Sequence, residues 1–103
     1  MKHSKLFIFA IMTTLAVSGC KHQAATYPTD TLTTKNGSQL TITFFKHASL
    51  AIETEGRHIY IDPISQYADY ASLPKADLIL ITHSHYDHLD SAAVAALSTA
   101  ATT

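Results

Sequence analysis

The chain has 103 residues, 47% of them apolar and 15% charged, which is ordinary globular composition on the scale of one small domain. Its formal charge of -1 lacks the basic excess expected of a nucleic-acid binder. Seven histidines are many for this length, and three of them fall within one six-residue window.

Lys2 and Lys5 give a positive start, and Leu6 to Val17 follow as an apolar run without a charge. That run is short for a membrane span, which takes about 20 apolar residues. It suits the apolar segment of a signal peptide. Val17-Ser18-Gly19-Cys20 then resembles the lipobox of bacterial lipoproteins, whose small residues admit the signal peptidase to the bond before the cysteine. The resemblance implies that residues 1–19 are removed and that Cys20 becomes a lipid-modified N-terminus, a stable anchor once two or more acyl chains insert. Lys21 stands where an aspartate holds many enterobacterial lipoproteins at the inner membrane, so the expected location is the outer membrane, facing the periplasm. Cys20 is the single cysteine, which excludes an internal disulfide, and with Cys20 taken up by lipid no thiolate zinc ligand is left. Residues 20–31 are polar and read as a tether, leaving 32–103 as the expected domain. After removal of the signal, five basic residues face eight acidic ones.

Thr31 to Lys35 and Gln39 to Lys46 read as strands joined by Asn36-Gly37-Ser38, a strong hairpin signal. Leu40, Ile42 and Phe44 alternate with Thr41 and Thr43, so that apolar face is expected to look inward. Ser49 to Thr54 and Arg57 to Ile61 form a second hairpin around Glu55-Gly56, ended by Asp62-Pro63. Ile64 to Lys75 is irregular. Ala76 to Thr82 contains the unbroken apolar run Leu78-Ile79-Leu80-Ile81, which predicts a strand buried on both faces. Asp90 or Ser91 can cap a helix through Ala92 to Leu97. The order predicts an α+β (α/β layered) fold with helices covering a sheet.

Thr82-His83-Ser84-His85-Tyr86-Asp87-His88 carries the chemistry. Alternating His83 and His85 can turn two imidazoles toward one cation, and Asp87 and His88 can reach a second. Neutral imidazole and carboxylate suit zinc, manganese or iron. An inert surface histidine cluster is the competing reading, and the spacing directly after an apolar strand argues against it.

The pattern His-x-His-x-Asp-His resembles the signature of the metallo-β-lactamase superfamily, a four-layer αββα sandwich. Phe45-Lys46-His47-Ala48-Ser49-Leu50-Ala51-Ile52-Glu53 and Ile59-Tyr60-Ile61-Asp62-Pro63 are similar to the branch holding ascorbate-6-phosphate lactonase-like proteins and uncharacterised metal-dependent hydrolases. The resemblance runs from about Leu40 to Leu97. It implies that His83 and His85 bind a first metal and Asp87 and His88 a second, with zinc the expected ion and two per complete site. It implies that Asp87 also positions the attacking water, and that Asp62 orients the metal loop from behind the ligands. A histidine in the place of His47 lies near the active-site mouth in that branch, which leaves a substrate or metal contact open there beside the favoured alternative, a strand-end histidine with only a structural hydrogen bond. Lys46 replaces the glycine usual in the family. His22 and His58 read as bystanders, Tyr86 as a rim residue, and Tyr67 and Tyr70 as residues of the mouth or of a core edge.

The implied activity is hydrolysis of an ester, lactone or phosphoester of a small molecule by a metal-activated water. Nothing resembles a nucleophile elbow around Ser84, and β-lactams are a poor expectation because fold does not fix substrate. The resemblance also implies further ligands downstream. No histidine follows His88 and no acidic residue follows Asp90, so the expectation is an N-terminal part of the sandwich whose second half is missing. The alternative expectation is a non-catalytic lipid-anchored fragment that binds metal weakly.

Overall fold

The computed structural model describes residues 25–103. The expected signal peptide, Cys20, His22 and the first part of the expected tether, residues 20–24, lie outside the described residues. Five strands form one sheet in chain order: β1 (Thr29–Thr33), β2 (Gln39–Lys46), β3 (Ser49–Thr54), β4 (Arg57–Ile61) and β5 (Leu78–Leu80). The first four pair antiparallel, and β5 joins β4 in parallel. A 3-10 turn at Tyr70–Ser72 lies in the otherwise irregular connection, and α1 (Ser91–Leu97) closes the order.

β1 starts at Thr29, inside the expected tether, because Thr29 pairs with Thr43. It also ends early. The Thr34 amide bonds the Ser38 carbonyl at 2.9 Å and the Gly37 amide bonds the Thr34 carbonyl at 2.9 Å, which pulls Thr34 and Lys35 into the turn. Gly37 takes φ 86 there, a left-handed geometry that glycine adopts without steric cost.

β5 is shorter than the expected Ala76 to Thr82. The Asp77 carboxylate turns away to accept the His58 amide at 2.8 Å, and Thr82 leaves the ladder to bond Asp62. Nor is the strand buried on both faces, since Leu80 is 46% exposed.

The apolar faces also sort differently from the alternation. Register places Leu40, Ile42, Phe44, Leu50, Ile52, Ile59 and Ile61 on one side of the sheet. The core lies on the other side, where Tyr60 meets Ala68, Tyr70, Ala76, Ala93 and Leu97, with Phe45, Ala51 and Ile79 packed against them. Helix α1 therefore covers the face carrying Ala51 and Tyr60, while Phe44, on the opposite face, is 41% exposed. Periodicity finds the two faces of a strand but does not say which one the chain's own helix covers.

Tyr70 is a core residue, 2% exposed, with edge-to-face contacts to Phe45 and Tyr60 at 5.4 and 6.0 Å. Burial, with the neighbouring Tyr70 and Glu53 adding to it, pushes the Tyr60 hydroxyl up to about 12. It donates to the Pro74 carbonyl at 2.7 Å.

Asp90 caps α1, accepting the Ala92 amide at 2.9 Å and the Ser65 amide at 2.8 Å. The Ser65 amide, against the opposing effect of burial, holds its carboxyl below the usual carboxylate range, helped by the Ser65 hydroxyl and the helix amides. A depressed folded value means that the stabilisation is present above the unfolded value and is lost as pH falls through the folded one. Asp90→Ala is expected to cost about 1–2 kcal/mol at neutral pH, and less at about pH 3, below the unfolded carboxyl value of about 3.9 and on the way down to the depressed folded one. Urea midpoints at the two pH values check this.

Candidate metal centre

Strands β2, β4 and β5 all end at one edge of the sheet, and the chemistry gathers there. The β2–β3 connection is a tight turn after a bulge between Phe44 and Lys46, and His47 occupies it with φ 55. Asp62 follows β4 with φ 45. The histidine motif follows β5. Two non-glycine residues held left-handed at one edge mark backbone that the surrounding contacts constrain, as functional sites commonly do.

Asp62 is fully buried and organises the edge. Its amide continues the ladder to the Leu80 carbonyl at 2.9 Å, and its carbonyl accepts the Ser49 hydroxyl at 2.5 Å. Its carboxylate accepts the Thr82 amide at 2.7 Å, the Thr82 hydroxyl at 2.6 Å and the His88 Nδ1 proton at 2.7 Å. Burial alone raises the Asp62 carboxyl, but the Thr82 hydroxyl, the His88 ring and the Thr82 amide together outweigh it. The net direction is down, so the group is an ionised acceptor.

Tautomers follow from that acceptor. His88 spends its Nδ1 proton on Asp62, which leaves the Nε2 lone pair free to bind metal. Thr82 spends its hydroxyl proton on the same carboxylate, so its oxygen accepts from His83 Nδ1 at 3.0 Å. His83 thereby also presents Nε2 as a lone pair. One buried carboxylate sets two imidazoles, the second through Thr82.

His47 Nε2, Asp87 Oδ2 and His88 Nε2 come together in front of this network. His47 lies 3.2 Å from Asp87 and 3.3 Å from His88, and His88 lies 3.6 Å from Asp87. Ligand atoms about 2.0–2.1 Å from a tetrahedral zinc are about 3.3 Å apart, so the three donors already have suitable separations. Among the described residues this is the one set of three or more donors whose ligand atoms lie within 4.8 Å of one another. Burial raises the Asp87 carboxyl, but its own backbone amide, His88 and His47 outweigh that effect and hold it below the usual range, an ionised donor.

The expected ligands are thus brought to one place but grouped differently. Asp87 and His88 sit together as a pair, and His47 completes their set. The His83 and His85 rings lie 4.6 Å apart, and the His83 ring lies 3.9 Å from that of His88, flanking the trio on the motif side. Tyr86 is 90% exposed at the rim. His58 lies at the start of β4, the opposite end of the sheet.

Thr82 and Ser49 escaped the sequence reading as site residues. Thr82 abuts the motif, and a hydroxyl between an apolar strand and a histidine is a weak signal. Ser49 gives no local signal, because its importance depends on β3 lying beside β4.

The sequence model of the Beta-lactamase superfamily domain matches residues 41–101. A UPF0173 metal-dependent hydrolase of Flavobacterium johnsoniae is 51% identical over 53 residues, covering 47% of this chain and 24% of that protein. One from Bacillus pumilus is 41% identical over 51 residues, covering 46% of this chain and 22% of that protein. A crystal structure from Parabacteroides distasonis, provisionally assigned as a metal-dependent hydrolase, is similar with a TM-score of 0.73 and 49% identity. It spans 74% of this chain and 34% of that one. The matches thus take in about a quarter of the length of these curated relatives and a third of the solved structure.

Proposed function

The chain belongs to the metallo-β-lactamase superfamily, and from that premise we propose that it contributes the metal-binding edge of a metal-dependent hydrolase acting on a small ester, lactone or phosphoester. One observation carries the reading: His47, Asp87 and His88 present three donor atoms 3.2–3.6 Å apart, in front of a buried Asp62 that fixes the His88 tautomer. A divalent metal bound there supplies Lewis acidity and a water activated at neutral pH. The chain's own residues do the rest. Asp87 holds an ionised carboxylate at the edge of the trio, one-third exposed, where it can orient a water by hydrogen bonding. Asp62 and Thr82 hold the rings of His88 and His83 so that no reorganisation is needed when ligand arrives. His47, 47% exposed, forms the solvent side of the set.

Zinc is the ion that these nitrogen and oxygen donors suit best, with manganese or iron as alternatives, and His83 and His85 are the proposed donors to a second ion. The same proposal anchors the protein in the bacterial envelope through lipid on Cys20, supported by the positive start, the apolar run and the small residues before that cysteine.

The test is a panel of esters, lactones and phosphoesters offered to the zinc-loaded protein. Turnover of at least one class, abolished by chelator and restored by zinc, is expected. Zinc uptake without turnover of any class would instead favour a metal-binding module.

A further inference from the structure

We infer that Lys46 is an anion-recognition residue of this site, so that the substrate carries a carboxylate or phosphate group beside the bond that is cut. The inference rests on the metal-site reading above for its position, but not for its charge. Four basic residues fall within the described chain: Lys35, Lys46, Arg57 and Lys75. Lys35 lies in the β1–β2 turn, Arg57 starts β4 and Lys75 precedes β5, all at the sheet end away from the donor set. Lys46 alone is at the site's end, the residue next to His47.

Its position is also held. The Lys46 ammonium lies 5.6 Å from the centroid of the Tyr67 ring, a cation–π contact that restrains a long flexible stem while leaving its proton donors open. Tyr67 is itself fixed to the site. Its amide bonds the Ile64 carbonyl at 2.9 Å, in the turn directly after Asp62-Pro63, and the neighbouring Ser65 amide bonds Asp90, two residues beyond His88. Among the described residues no carboxylate lies within ion-pair distance of Lys46, whereas Asp87 is shared by His47 and His88. An exposed ammonium without a carboxylate partner, steadied on the Tyr67 ring and next in sequence to His47, is suited to a substrate anion. Purely structural use of the stem against Tyr67 predicts no such binding.

Methyl phosphate and acetate are the probes, titrated into the zinc-loaded chain while the Lys46 side-chain NMR signals and the binding heat are followed. Lys46→Gln is expected to weaken binding of the preferred anion about 5–10-fold and to flatten its salt dependence. Lys46→Arg is expected to restore most of the affinity, and Lys35→Gln to change nothing. Methyl phosphate binding tighter than acetate points to a phosphate on the substrate, and equal binding to a carboxylate. The inference is overturned if wild type binds neither anion, or if Lys46→Gln binds as wild type does. Zinc uptake measured in the same samples separates the two failures. Intact uptake with a silent Lys46 sinks this inference alone, and absent uptake sinks the metal-site reading.

Discussion

Asp62→Ala is expected to cost about 3 kcal/mol or more and to leave much of the domain unfolded. The carboxylate is fully buried and accepts three hydrogen bonds, from the Thr82 amide, the Thr82 hydroxyl and His88. Truncation removes the shared acceptor of all three donors at a fully buried position, with the His88 side chain only 14% exposed, and a hydrogen bond to a charged group contributes about 1.5–3 kcal/mol. A small domain holds only about 5–15 kcal/mol in total, so the loss is a large share. Asp62→Asn keeps the shape and one acceptor, so it separates folding from ligand orientation. That variant is expected to fold and to bind zinc about 10–100-fold more weakly, as loss of an orienting partner usually does. Thermal melts and competition with a chromophoric chelator read the two effects.

His47→Gly is expected to move stability and metal affinity apart. His47 sits at φ 55, where an ordinary side chain costs about 1–2 kcal/mol and glycine pays no steric cost. The gain is partly offset by the freedom that glycine adds to the unfolded chain, so the variant should melt within about 1 kcal/mol of wild type, or above it. Zinc affinity should fall by at least about 100-fold, more than loss of an outer partner, because one of three donors is gone. His58→Gly, at the far end of the sheet, should leave zinc affinity unchanged. Equal zinc affinity in the His47 and His58 variants would remove His47 from the site.

Local pattern carried much of this structure. The second hairpin and the α1 cap are set by neighbours in sequence, and the structure places them as expected. Asp87 and His88 stood out as candidates because two donor side chains one residue apart need no long-range information. What depended on other strands was harder. His47 reaches His88 across 41 positions of sequence, and a lone histidine after a strand carries no mark of that, so only the family resemblance pointed to it. Thr82 and Ser49 matter only because β3, β4 and β5 lie side by side. The alternation in β2 showed two faces correctly, yet the core formed on the side holding Ala51 and Tyr60, since that is the side α1 can reach from β5. Seven strand-forming residues from Ala76 to Thr82 shrank to three because Asp77 and Thr82 had side-chain or backbone partners outside the ladder.

X-ray absorption at the zinc edge of the loaded chain tests the central claim most directly. The account predicts an imidazole-containing nitrogen and oxygen shell at about 2.0–2.1 Å, with one imidazole fewer in the His47→Ala protein. A shell of oxygen alone, or a spectrum identical in wild type and His47→Ala, would contradict it.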